Sequence, residues 1–297
     1  IIAQVAQLNL IGTMLWPGVA DFSLAGAQLF LPFVGLFGAP AAVALAQPLI
    51  ADAREDGTIY AIVPLSVKLG TQPLASVSIN NGSPAPLLVD TGASGIVVLP
   101  SVVPNVDELT NVGSGDSCFS GGLCYHYETY ETTVDFGGGA VADGAYVNVV
   151  TDNEQYPDSV ENFQYYFNWG ADGIVGLGAN TAGPGPAPIP TSVLPGELSN
   201  GVLIWQNLLP FGLGGLMIFG PSALPPRVSL PGAPDAYVKV SVNGEALTDA
   251  GAIIDSGGVF GTLPLANAPA GSVAGEDLPA GTKISVYTQD GTTLLYS

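Results

Sequence analysis

The chain has 297 residues, 47% of them hydrophobic, with 40 glycines and 25 prolines set among short Val, Ile, Leu and Tyr runs, a composition that favours a turn-rich all-β protein over a helical one. Twenty-five acidic side chains stand against five basic ones, for a net charge of −20; that removes the counterion-release term of nucleic-acid affinity, so no nucleic-acid partner is expected. His126 is the only histidine, which excludes a multi-histidine metal site and finds no matching nucleophile turn for a Ser-His-Asp system, so it reads as a loop or partly buried residue.

Residues 1–58 differ in character from the remainder of the chain. From Phe22 to Ala51, thirty consecutive residues carry no formal charge, which is long enough for a membrane span. Gly26, Pro32, Gly35, Gly38, Pro40 and Pro48 interrupt the run, and proline inside a helix removes a hydrogen bond and clashes with the preceding turn. No Lys or Arg precedes Arg54, so the basic region that opens a secretory signal is missing. The segment is expected to form broken apolar helices, a linker or anchor that packs on the folded body or touches an envelope or membrane surface. The chain opens on Ile1, which reads as a processed chain or a fragment.

From Thr58 the period becomes two. Ile59 to Leu69 and Ala75 to Asn80 read as strands joined by the turn Gly70-Thr71-Gln72-Pro73. Asn81-Gly82 makes the next tight turn and leads into the apolar run Pro86-Leu87-Leu88-Val89, which ends in Asp90-Thr91-Gly92. Cys118 and Cys124, five residues between them in a Gly/Ser-rich loop, either close a small disulfide loop in an oxidising compartment or stay as two thiols. A strand over Thr129 to Asp135 turns at Phe136-Gly137-Gly138-Gly139, a flexible tip, and returns as Ala145 to Val150. Asp172-Gly173-Ile174-Val175-Gly176-Leu177 sets apolar residues between glycines, as a strand does where another backbone crosses closely. A Pro/Gly-rich linker over 181–198 then separates a first lobe, 59–180, from a second, 199–297, which opens with strands at Val202 to Leu209 and Gly214 to Phe219.

The second lobe repeats the first. Val240-Ser241-Val242-Asn243-Gly244 followed by Ala252-Ile253-Ile254-Asp255-Ser256-Gly257 parallels Val77 to Gly82 followed by Leu87 to Gly92, and Leu263-Pro264 echoes Leu99-Pro100. Tandem strand-turn-strand units ending in the same acidic turn imply a pseudo-twofold axis near Asp90 and Asp255. After Asp255 a hairpin around Asp290-Gly291 is visible, with no later counterpart of Gly173 to Gly178; the second lobe is expected to be C-terminally incomplete.

Two carboxylates within hydrogen-bond distance do not both ionise cheaply, so they share a proton and titrate as a pair. The ionised member activates a water for attack on a peptide carbonyl, and the protonated member donates to the carbonyl oxygen. Gly92 and Gly257 bring backbone N–H groups close to the carboxylates, and the Thr91 and Ser256 hydroxyls hold the acids in register across the lobe junction. No metal or cofactor is required, and none is expected.

These residues resemble the pepsin-like aspartic peptidases, bilobal all-β enzymes with one Asp-Thr/Ser-Gly per lobe. Asp172 to Leu177 is similar to the family's segment behind the first catalytic turn, and Gly214 to Gly220 to its glycine-rich strand early in the second lobe. The resemblance implies an aspartic endopeptidase with Asp90 and Asp255 as its catalytic pair. It also makes Cys118/Cys124 a small disulfide loop and Phe136 to Gly139 the substrate-covering flap. Gln47-Pro48-Leu49-Ile50-Ala51-Asp52 looks like the linker ahead of the C-terminal domain in mycobacterial PE/PGRS-type cell-surface proteins. The same resemblance implies a polypeptide substrate, a secreted or cell-surface location and a monomeric state.

The pattern also departs from the family. Phe136 and Val97 stand where a flap Tyr and its Trp partner are usual, and Ala93 and Gly258 where Ser or Thr commonly comes after the motif glycine. Fewer donors to the carboxylates imply a working pH less acidic than pepsin's. The rival reading is a pepsin-like peptide-binding protein of the cell envelope with weak or lost turnover; a third, an envelope structural protein, leaves the repeat unexplained.

Overall fold

The computed structural model describes residues 2–6, 60–69, 71–119, 121–178, 189–205, 214–221, 228–232, 234–258 and 261–297. Eleven strands form one sheet: β1 (Ile2–Ala6), β2 (Ala61–Lys68), β3 (Gln72–Ile79), β4 (Ala85–Asp90), β5 (Ser94–Val98), β6 (Asn111–Cys118), β7 (Cys124–Asp135), β8 (Val141–Thr151), β9 (Gly173–Leu177), β10 (Gly201–Trp205) and β11 (Gly214–Phe219). Their order is β1-β10-β11-β2-β3-β4-β9-β5-β8-β7-β6, and an added β3–β7 pairing curls the sheet back on itself. A second sheet has the order β13-β12-β14-β15, from β12 (Asp235–Val242), β13 (Thr248–Ile253), β14 (Ile284–Thr288) and β15 (Leu294–Tyr296). One α-helix, α1 (Ser159–Tyr166), lies among the described residues with several short 3-10 turns. The protein is therefore mostly β, as its composition implies.

Local chemistry explains the turns. Asn80 and Asn81 both take left-handed backbone, φ 49° and 57°, and the Gly82 N–H donates to the Ile79 carbonyl at 2.8 Å. Asparagine tolerates this conformation, so the β3–β4 hairpin turns on Asn80-Asn81, one residue earlier than expected. The repeat is reproduced in three dimensions: Asn243 and Gly244 are also left-handed, and the Glu245 N–H donates to the Val242 carbonyl at 3.0 Å.

Strand β9 threads between β4 and β5, parallel to the first with Asp90 opposite Gly176, and antiparallel to the second. A Cβ on Gly176 would lie 2.5 Å from the Gly95 carbonyl oxygen, which is why this strand needs glycine between its apolar residues. With β3 on one side and β9 on the other, β4 is buried along most of its length. Its echo β13 differs: among the described residues it pairs with β12 alone, and Ile253 is exposed. The two motif strands are therefore unequally buried, because a strand at the edge of a sheet has a neighbour on one side only.

Three other expectations meet the structure. The helical reading of residues 1–58 lies outside the described residues except at 2–6, where the chain is extended and runs parallel to β10. Strand β11 hydrogen-bonds onto β2 and β10 onto β11, so the segment that opens the second half belongs to the large sheet. Among the described residues no helix is long and apolar enough to cross a membrane.

Candidate active site

The two motifs occupy turns at the ends of β4 and β13. In each, the aspartate folds back on its own turn: the Gly92 N–H donates to Asp90 Oδ1 at 2.7 Å, and the Gly257 N–H donates to Asp255 Oδ1 at 2.7 Å. Such a side-chain-to-backbone bond two residues on is the ordinary Asx turn. What is not ordinary is the company each glycine keeps. A Cβ on Gly92 would lie 2.5 Å from Asp255 Cγ, and a Cβ on Gly257 would lie 2.6 Å from Asp90 Cγ. Each glycine therefore clears space for the carboxylate of the other motif, and the two acids meet although 165 positions separate them.

The residues between acid and glycine lock the motifs together. The Thr91 N–H donates to Ser256 Oγ at 3.1 Å and the Ser256 N–H to Thr91 Oγ1 at 2.9 Å. The Thr91 hydroxyl then donates to the Ile254 carbonyl at 2.7 Å, and the Ser256 hydroxyl to the Val89 carbonyl at 2.6 Å. Both side chains are fully buried, where an unpaired donor or acceptor is costly, so all four bonds favour one mutual placement.

This geometry sets the electrostatics. Asp90 and Asp255 keep part of their surface open to solvent, yet protein atoms surround them. Burial raises the Asp90 carboxyl well above the usual carboxylate range; the charge of Asp255 and a side-chain hydrogen bond to it push the same way. Backbone N–H groups of Gly92 and Ala93 pull in the opposite direction without overcoming the rise. The protonated form of Asp90 is therefore favoured.

The expected flap residues lie elsewhere. Asp135 pairs with Ser78, six positions along β3 from Gln72, whose side chain reaches Gly258. Six residues of strand span about 20 Å, so the turn Phe136-Gly137-Gly138-Gly139 sits at the far end of the sheet from the carboxylates. Phe136 is fully buried with its ring 5.2 Å from that of Phe219 on β11, and Gly138 packs on the backbone of Ile62. Their assignment as substrate-binding residues is corrected: Phe136 and Gly138 fasten the β7–β8 turn to the strands beneath, and Gly137 and Gly139 complete that turn.

The opposite end of β7 carries a second hairpin tip, which reaches Tyr166. Cys118 and Cys124 are directly opposite in the β6–β7 ladder and form a disulfide, with the Phe119 N–H donating to the Leu123 carbonyl at 2.8 Å. The Phe119 ring stacks on Tyr166 at 5.7 Å, and the Tyr166 hydroxyl lies against Gly121. Burial, then the charges of Asp90 and Asp255, raise the Tyr166 phenol, which places it within electrostatic reach of both acids. Neither Tyr166, at the end of α1, nor Gln72 carries a sequence signal: one is an aromatic among several neighbours of its kind, Phe163, Tyr165, Phe167 and Trp169, and the other a turn residue.

His126 sits on β7, with Nδ1 2.6 Å from Asp116 Oδ1 on β6, partly buried as expected. Among the described residues, no three His, Cys, Asp or Glu side chains converge on a point where a metal ion would be held.

Comparison with known proteins agrees with this geometry. PE cleavage protein A of Mycobacterium tuberculosis is 38% identical over 255 residues, covering 79% of this chain and 44% of that protein. PE cleavage protein A of Mycobacterium marinum is 40% identical over 250 residues, covering 78% of this chain and 43% of that protein. The chain thus spans under half the length of the relatives it matches. A model of the PE-PGRS C-terminal aspartyl peptidase-like domain matches residues 61–297, the whole stretch that carries both acidic turns, and the chain belongs to that peptidase-like family.

Proposed function

We propose that the chain is an aspartic endopeptidase in which Asp90 and Asp255 activate a water between them. The observation that carries this reading is the mutual approach of the two carboxylates, each backed by the other motif's glycine. The ionised member takes a proton from the water as its oxygen attacks the scissile carbonyl carbon. The protonated member, Asp90 in the favoured form, donates to the carbonyl oxygen, giving a tetrahedral intermediate and reversing the pair's protonation. Collapse of that intermediate returns a proton to the leaving amine. The Thr91–Ser256 bonds keep the acids at fixed separation, which is the positioning such chemistry needs.

The hairpin tip Cys118 to Cys124 takes the place of a cover over the bound peptide, and Phe119 and Tyr166 give that region an aromatic wall suited to apolar side chains. The relatives bear the name PE cleavage protein A, and with the peptidase-like family this supports a polypeptide substrate here. A disulfide using both cysteines of the chain supports a secreted or cell-surface location. Both acids come from one chain, so a monomer suffices; envelope attachment falls to residues 1–58.

Cleavage of a mixed peptide library by wild type and by Asp90→Asn, with and without pepstatin, tests the reading. Wild type should cleave and the variant should lose at least about a thousandfold in kcat/KM. If the two behave alike, the pair is not catalytic; if both bind peptides and neither cleaves, the protein is the peptide-binding relative instead.

A further inference from the structure

The two acidic turns are near copies, but the carbonyl of the residue after each motif glycine is held differently. After the first motif, the Ala93 carbonyl accepts a 2.9 Å bond from the Gly178 N–H, at the end of β9. After the second, the Gly258 carbonyl accepts a 3.3 Å bond from Gln72 Nε2, whose other contact is the Thr71 hydroxyl oxygen, also at 3.3 Å. Gln72 opens β3 in the large sheet and is 1% exposed, while Gly258 is 186 positions away. A primary amide has two N–H donors, so both bonds are available to it at once. Gly258 in turn touches the acid: a Cβ on it would lie 3.1 Å from Asp255 Oδ2.

We infer that Gln72 is a positioning residue for Asp255, a strut from the large sheet that does for the second acidic turn what the end of β9 does for the first. The inference rests on reading Asp90 and Asp255 as a working pair. Its physical content is that β13, as an edge strand, gives its turn less backbone support than β4 receives from β3 and β9. A neutral amide suits the task. It donates to the carbonyl without placing a charge beside two carboxylates, whereas a glutamate would set an acceptor against an acceptor. Loss of the bond frees the Gly258 peptide to rotate and lets the Asp255 carboxylate drift from its partner. The peptide chemistry is sensitive to such drift.

The test compares wild type with Gln72→Met, which keeps length and volume but has no donor, and with Gln72→Glu. Gln72→Met should lower kcat about tenfold with KM held within about twofold, since the residue touches the acid's turn and not the substrate. Gln72→Glu should fall further at neutral pH. Thermal melting fixes the folded fraction, so that loss of fold and loss of alignment separate. A second readout needs no turnover: titration of carbon-13-labelled aspartate carboxylates, with the pair assigned through Asp90→Asn, should move by roughly half a pH unit in Gln72→Met. A Gln72→Met protein with wild-type kcat and an unmoved titration overturns the inference, as does a kcat loss matched entirely by unfolding. Were wild type to cleave no peptide, the endopeptidase reading would fail by itself, and the carboxylate titration would still decide the role of Gln72.

Discussion

Thr91 and Ser256 bind each other reciprocally, backbone N–H to hydroxyl in both directions, at 3.1 and 2.9 Å. Each hydroxyl then spends its own proton on a carbonyl beyond, so Ser256→Ala strands two buried groups, the Thr91 N–H and the Val89 carbonyl. An unsatisfied buried group costs about 1–3 kcal/mol, and Ser256→Ala is expected to lose roughly 2–4 kcal/mol of unfolding free energy. Thr91→Val should cost a similar amount. Because the bonds form one ring, the double variant should fall short of the sum by at least about 0.5 kcal/mol in denaturant unfolding. Strict additivity would mean that the ring does not act as a unit.

The raised carboxyl of Asp90 makes stability depend on pH in a definite direction. Between the usual carboxylate range and its raised value, the folded protein holds a proton that the unfolded chain has released. Stability contributed by that proton is present at low pH and is lost as pH rises through the folded value. Asp90→Asn has no such proton to lose. Its advantage over wild type should therefore widen in urea unfolding as pH rises from about 4, the ordinary carboxylate value, toward the raised one. A gap that stays constant over that range would contradict a buried, shared proton. The same proton serves the proposed reaction, so the alkaline limb of kcat/KM should lie above the usual carboxylate range, and an optimum near about pH 2 would count against it.

What is legible in the sequence is what local chemistry demands. Asp90-Thr91-Gly92 and Asp255-Ser256-Gly257 stand out because an acid at the end of an apolar strand needs its glycine and hydroxyl neighbours, and the Asn-Asn and Asn-Gly turns because few residues accept left-handed backbone. The glycines of β9 are legible for the same reason. Strand β6 is not: Asn111 to Asp116 is an exposed edge of Gly, Ser and Asn with no alternation to betray it, so Cys118 and Cys124 read as loop residues. Without β6, the hairpin tip proposed as the cover goes unseen, and the expectation settles on the other end of β7. Both ends of that strand are Gly-rich turns, and only the pairing of Ser78 with Asp135, a tertiary fact, says which end is remote.

That correction has its own test in Phe136. Its side chain is fully buried against Phe219, so Phe136→Ala should open a cavity and cost about 3–5 kcal/mol of stability. Per folded molecule, kcat/KM should stay within about twofold of wild type, because nothing at the pair changes. A variant that keeps its stability and raises KM would return this turn to the substrate.

The disulfide tip is expected to show the opposite behaviour. Cys118 and Cys124 close a loop of only five intervening residues, so the chain-entropy gain from the crosslink is modest, about 2 kcal/mol. The effect on the tip should be larger than that figure suggests. Its remaining ties are the Phe119–Leu123 and Gly122–Phe119 backbone bonds and the packing of Phe119 and Leu123 on the core, where Phe119 meets Tyr125, Phe163, Tyr166 and Phe167, while Gly121 and Gly122 are exposed and have no side chain to anchor them. Cys118→Ser/Cys124→Ser should therefore sample conformations in which Phe119 leaves Tyr166, and a peptide would have to order the tip as it binds. Ordering of that kind is charged to binding, so KM should rise about three- to tenfold while kcat changes less. Dithiothreitol should reproduce the change in wild type and leave the serine variant unmoved. An increase in KM on adding dithiothreitol to the serine variant, or none in wild type, would show that the crosslink does not govern how the tip meets the peptide.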